Sequence, residues 1–311
     1  MVAGRLRPFR EGRPLRQVFD DVEEFGSVVA LLNVDRSGLI DALNDHPLVH
    51  HGLVPGEDQM ALVQRFADYY EESGLIVSGE APPLRSCCAN GEYCWREANP
   101  TDVGGSLSLP WVGPDYRPGG VLILGINFND AYGIAEAFAL AHWELRNFAR
   151  GRKRMTYDSP GYRGSDFAYR STRSAGLLID VLDGVDVTDR ERSEELVAVL
   201  NRVVRLQTIK CSPENDALSK PTGGMWENCP PMLLADEFAI ARPRFIVAFG
   251  GDVRWALERL PGFSPEPAQE ERLHCGVFAV GGTSAGVFML DHPRSRYWPA
   301  SHASLVTHLQ R

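Results

Sequence analysis

Cysteines in two distant segments offer the most specific chemistry in the chain. "SCCANGEYC" supplies Cys87, Cys88 and Cys94, while Cys211 and Cys229 stand at either end of a polar, Pro- and Gly-rich loop, residues 212–228. Thiolates from two segments that meet in space suit a four-cysteine iron–sulfur cluster or a structural zinc, and spacing alone chooses neither. The plain alternative is a set of buried, unreactive thiols, the reading that suits Cys275 in a late apolar run. The opening "MVAGRLRPFREGRPLRQ" is basic but lacks the apolar centre of a secretory signal. The chain is therefore expected in the cytoplasm, where clustered thiols point to a metal site more than to disulfides.

Two polar residues follow directly on apolar runs. Asn127 lies in "LGINFND" (124–130) and His292 in "DHPRSRYW" (291–298). In open α/β sheets ligands bind at such strand ends; the alternative for Asn127 is a helix cap, and for His292 a simple His-Pro turn. A third feature is electrostatic. The net charge is −9, which argues against a generic polyanion binder, yet "RNFARGRKRM" concentrates Arg146, Arg150, Arg152, Lys153 and Arg154. Over 146–173 only Asp158 and Asp166 oppose them, so this segment suits phosphate contact, or else is a solvated helix end.

The elements that must hold these residues alternate. "GVLILGI" (120–126) is an unbroken apolar run, hence a strand covered on both faces. "VVRLQTIK", "RFIVAFG" and the pair "GVFAVGG"/"GVFML" supply further strands. Residues 130–150, "SAGLLIDVLDGV", "RSEELVAVLNRV" and "ASLVTHLQ" carry helical periodicity. The pattern predicts an α/β fold: a three-layer α/β/α domain with a central, mainly parallel sheet of about four strands. Residues 1–80 show two helical stretches of their own and are expected to form an accessory region. "SGEAPPLR" (78–85) links them to a domain over 85–311. No apolar run approaches the roughly 20 residues a bilayer needs, so no membrane partner is expected. Nothing calls for an obligate protein partner.

In order along the chain, these motifs resemble the uracil-DNA glycosylase superfamily. The resemblance rests on the turn after the first strand, "SAGLLIDVL", a strand running into "KCSP", a second cysteine, "ARPRFIVAFG" and a final "HP". It is closest to the iron–sulfur branch called family 4 and covers residues 85–311, leaving 1–80 outside. It implies a [4Fe-4S] cluster, with zinc as the alternative, held by Cys211, Cys229, Cys94 and one of Cys87 or Cys88. It also implies DNA as partner and hydrolysis of the N-glycosidic bond of a flipped base.

The departures refine that expectation. The turn reads GINFN, nearer the GINPG of mismatch-specific thymine/uracil glycosylases, with Phe128 in place of proline. By that match Asn127 positions water and His292 stabilises the departing base. Gln207 stands where the family reads the base with Asn, one methylene shorter. Phe128, Phe167 or Tyr169 would stack on the ring, while Arg294 and Arg296 would grip the backbone alongside Arg152, Lys153 and Arg154. The expected substrate is a damaged or modified pyrimidine, including a modified base of phage DNA in antiviral defence. The alternatives are uracil repair of host DNA and a non-catalytic iron–sulfur DNA-binding module.

Overall fold

Val121 to Gly125 form a strand because five consecutive small or apolar residues can all be covered, and each is. This strand lies at the centre of the computed structural model, which describes residues 57–73, 106–107, 110–113, 115–126, 164–190, 193–212, 221–267, 270–280 and 282–311. In chain order the elements are helix α1 (Glu57–Glu72), strands β1 (Ser106–Leu107), β2 (Trp111–Val112) and β3 (Val121–Gly125), then helices α2 (Gly164–Asp183) and α3 (Ser193–Leu200). Strands β4 (Val203–Gln207) and β5 (Cys211–Ser212) follow, then helix α4 (Gly223–Cys229), a π-helical turn (Pro230–Leu234) and helix α5 (Ala235–Ala241). Strand β6 (Phe245–Phe249), helix α6 (Gly251–Leu257), strands β7 (Phe263–Glu266), β8 (His274–Val280) and β9 (Thr283–Leu290), and helix α7 (Trp298–Leu309) complete the chain. The π-helical turn falls where Pro230 and Pro231 withdraw two N–H donors from the helical ladder.

The main sheet runs β2-β4-β3-β6-β9-β8-β7. Its four central strands are mutually parallel, β4 with β3, β3 with β6 and β6 with β9. Strand β2 on one side and β8 and β7 on the other pair antiparallel. The strand runs read from the sequence are β3, β4, β6 and the pair β8 and β9, within a sheet of seven strands rather than about four. The two strands without a sequence signal are short or irregular: β2 has two residues and β7 carries Pro265 on an exposed edge, where proline costs no ladder bond.

Alternation along the strands builds two cores, one on each face. Val121, Ile123, Val247 and Phe249 pack with Leu177 and Leu178 of α2 and Leu305 of α7. Leu122, Leu124, Ile246 and Ala248 pack with Phe238 of α5 and Val253 of α6. This gives the three layers α/β/α. Helix α1 lies within the region expected to be accessory, yet its Leu62, Phe66 and Tyr70 are buried in the second of these cores. At about 1.5–3 kcal/mol for each fully buried large side chain, three such residues hold the helix firmly to the sheet. No helix among the described residues is long and apolar enough to cross a membrane.

Candidate functional site

Because β4, β3, β6 and β9 are parallel, their carboxyl ends share one edge of the sheet. Gln207 ends β4 directly opposite Gly125, the last residue of β3. The two chains stay zipped beyond the strands. Thr208 donates to the Gly125 carbonyl through both its amide, at 2.8 Å, and its hydroxyl, at 2.7 Å. The Ile209 amide donates to the Ile126 carbonyl at 2.9 Å. Ile126, from which the chain passes to Asn127, is thereby fixed.

Gly250 draws the other strand ends in. It turns β6 into α6 at φ 104°, a conformation L side chains rarely adopt, and its N–H donates to the Leu290 carbonyl at 2.9 Å. A Cβ at this position would lie 3.6 Å from Ile126 Cδ1 and 3.8 Å from the Cβ and Cδ2 of His292. Ile126 and His292 therefore flank the same glycine.

His292 is held in one state. The Arg294 amide donates to its Nδ1 at 3.2 Å, which assigns the neutral ring's proton to Nε2. Burial, with the Arg294 charge acting in the same direction, lowers its pKa from 6.5 to about 4. A neutral imidazole with an Nε2–H donor is thus present throughout the physiological range. Gln207 is only 3% exposed, and its Oε1 has no hydrogen-bond partner among the described residues. A buried amide oxygen without a donor costs about 1–3 kcal/mol.

Helix α2 secures the His-Pro turn. Arg170 donates to the Pro293 carbonyl, and its guanidinium lies 5.1 Å over the Trp298 ring. Next to Arg170, Tyr169 is half-buried against the core of that face, while Phe167 is placed by its backbone in α2. Arg294 and Arg296 are exposed on the turn. Arg296 bonds the Tyr297 hydroxyl, and the Arg296 and Arg272 guanidinium groups lie 4.6 and 4.3 Å from the Tyr297 ring.

One constellation imitates a catalytic triad. Ser174 Oγ lies 3.0 Å from His302 Nδ1, and His302 Nε2 lies 3.1 Å from Asp189 Oδ1. Ser174 is fully buried, so the line clamps α7 to α2 and offers no nucleophile. Burial also pushes the Cys275 thiol up to about 11, in keeping with a packed, inert side chain.

Several expected residues lie outside the described ones: Asn127, Phe128, Arg152, Lys153, Arg154, Cys87, Cys88 and Cys94. Of the other two expected cluster ligands, Cys211 is placed by its backbone at the start of β5, and Cys229 ends α4 as a buried thiol. Among the described residues no three His, Cys, Asp or Glu side chains are grouped to hold a metal. One feature suits a two-segment thiol site. Strand β1, which begins soon after Cys94, pairs with β5 in the register Leu107 to Cys211.

Sequence reading missed Gly250, Thr208 and the clamp made by Arg170 and Trp298. A glycine pair closing "RFIVAFGG" signals a special backbone position, but not which residues approach it. Arg170 belongs to the basic segment read for phosphate contact, and nothing local signals its partner, a carbonyl 123 residues away.

No protein-family model matches the chain, and no curated protein does. Among solved structures, a domain of unknown function (DUF1537) from Bordetella bronchiseptica, crystallised as a domain-swapped dimer with bound citrate, is similar at 14% identity. The match covers 62% of this chain and 42% of that one, with a TM-score of 0.25. The chain thus spans less than half the length of that neighbour, and at this score the likeness defines neither fold nor activity.

Proposed function

We propose that the chain is a DNA glycosylase that hydrolyses the N-glycosidic bond of a flipped, damaged or modified pyrimidine and leaves an abasic site. One observation carries this reading: a buried amide oxygen at Gln207, unpartnered among the described residues, and a neutral imidazole at His292 share the sheet edge where β3 leads to Asn127. The oxygen calls for a ligand donor, which the N–H edge of a pyrimidine supplies. The glycosidic bond breaks with its electron pair leaving on the base, and the Nε2–H of His292 stabilises that anion. Asn127 orients the water that adds to the cation-like sugar and releases its proton to solvent. An amide suffices there because such a sugar accepts neutral water.

The remaining parts bind. Tyr169, Phe167 and Phe128 supply aromatic faces for the base, and Arg294, Arg296, Arg152, Lys153 and Arg154 meet phosphates. Cys211 and Cys229, with Cys94 and one of Cys87 or Cys88, would hold a [4Fe-4S] cluster, or zinc, that pins the 212–228 loop and takes no part in bond cleavage. Gln207 in place of a shorter amide favours a modified pyrimidine, such as one in phage DNA, over uracil in host DNA.

The test is to incubate the protein with DNAs carrying unmodified, deaminated and modified bases and to score abasic sites. Asn127→Ala should slow base release about 100-fold, the scale for losing one group that serves the transition state, while leaving DNA binding intact. A protein that binds these DNAs but releases no base from any of them is a binding module, and the glycosylase reading fails.

A further inference from the structure

A lysine, a glutamate and a tyrosine are buried together behind Gln207. Lys210 and Glu237 are both 0% exposed, and Tyr70 is 1% exposed. The Lys210 ammonium lies 2.7 Å from Glu237 Oε1, and it also donates to the main-chain carbonyl of Gln207. The Tyr70 hydroxyl donates to the same Glu237 oxygen. The line runs from helix α1 through α5 to the end of β4, joining residues 70, 237, 210 and 207. Beside it, the Tyr69 hydroxyl reaches the Met232 carbonyl and Asp236 Oδ2, both at 3.2 Å.

A buried ion pair is a poor means of stabilisation. Desolvating the two charges costs several kcal/mol each, and well-packed apolar replacements are often as stable or more so. Glu237 Oε2 is in addition buried without a partner among the described residues. What the pair does supply is direction. Of the three donors on the ammonium, one is held by Glu237 Oε1 and another ends on the carbonyl of Gln207. Gln207, Arg205 and Val203 alternate toward the face of α2 and α7, where Val203 is packed. The line reaches the Gln207 main chain from the opposite layer, so it can fix the backbone without entering the side chain's space.

We propose that helix α1 positions Gln207 through Tyr70, Glu237 and Lys210, making this helix a positioning element of the site. What Gln207 contacts rests on the proposed function; how it is held does not. The three residues are positioning residues and touch no substrate. Since Ile209 and Thr208 fasten the same turn to Ile126 and Gly125, slackening the line loosens Gln207 and the approach to Asn127 together.

Tyr70→Phe in the full chain removes one hydroxyl and keeps the ring in the core. Tyr116→Phe is the matched control, because the buried Tyr116 hydroxyl donates to the Ala241 carbonyl at 2.9 Å in the same core but off the line. Amide hydrogen exchange at Thr208 and Ile209 should quicken about tenfold in Tyr70→Phe, the scale of one charge-assisted bond, and stay unchanged in Tyr116→Phe. The ratio of release rates for uracil and modified pyrimidines should shift in Tyr70→Phe alone. The triple variant Tyr70→Phe/Lys210→Met/Glu237→Leu should fold at least as stably as the native protein, yet exchange faster at both amides. Unchanged exchange at Thr208 and Ile209 in Tyr70→Phe and in the triple variant overturns the inference. If the native protein releases no base from any DNA, the glycosylase reading falls while the exchange contrast still decides this one.

Discussion

Replacing Gln207 with methionine should make the protein more stable and less able to recognise its ligand. Met matches Gln in length and closely in volume, so packing against the neighbours is kept. What it removes is a polar oxygen buried without a partner among the described residues at a position 3% exposed. Such an acceptor costs about 1–3 kcal/mol. The expected net gain is about 1 kcal/mol, the lower end of that range. For a chain of this size that corresponds to a rise of about 2 °C in Tm. Urea denaturation followed by tryptophan fluorescence measures the first quantity, and calorimetry the second. Discrimination between bases should collapse in the same variant, because a site built to hydrogen-bond rejects a mismatch only through the bond it can no longer make. A Gln207→Met protein less stable than the native one by about 1 kcal/mol or more would refute the reasoning, since it would mean the oxygen is already satisfied in the free protein.

Other expectations follow from the same edge of the sheet. His292 has a folded pKa of about 4 against 6.5 when unfolded, so the unfolded chain takes up its proton first as pH falls. Stability should drop by about 1–2 kcal/mol between pH 7 and pH 5, allowing for the ring's partial solvent contact, and His292→Gln should show a smaller drop in urea midpoints at the two pH values. Base release should stay nearly flat over that range, and a rate falling with a midpoint near 6.5 would show that His292 titrates normally. Arg170→Lys keeps the charge but not the planar fork that holds Pro293 and covers Trp298. Single-turnover base release should slow about tenfold, while the salt dependence of DNA binding stays as it was. Cys229→Ser should lower bound iron or zinc, measured by elemental analysis, and destabilise the domain, because metal binding and folding are coupled. Cys275→Ser should leave the metal content unchanged.

What the sequence revealed follows from the range of the forces involved. Strands β3 and β6 were legible because "VLILG" and "FIVAF" are apolar throughout, a pattern only a strand covered on both faces tolerates. Strand β7, "FSPE", was not, since its residues face solvent at the edge and carry no periodic signal. His292 was found as a polar residue closing an apolar run and Gln207 by its place in the motif "LQTIKC", and the parallel sheet puts both on one edge. Their chemical states were hidden. The neutrality of His292 comes from burial and from Arg294, and the lack of a partner for the Gln207 oxygen among the described residues depends on everything packed around it. The Lys210–Glu237 pair was equally hidden. Lys210 stands near Gln207 and Thr208, and Glu237 next to Asp236, so neither stands out as a break in an apolar run, and only the packed structure shows that they meet.

The burial of helix α1 among side chains from the far half of the chain also dictates a timetable. A ribosome makes Leu62, Phe66 and Tyr70 long before Phe238, which shares their core, and Glu237, the acid that receives the Tyr70 hydroxyl. At about 5–20 residues per second, the intervening stretch takes roughly ten to thirty seconds to synthesise. For that interval the apolar stripe of α1 is a waiting surface, open to chaperones or to another nascent chain. The turn bearing Gln207 also leaves the ribosome before its anchor, Glu237. The sheet edge therefore matures late in synthesis, and a polypeptide truncated before residue 237 would carry β3 and β4 without Glu237 and without the ends of β6 and β9 that complete that edge.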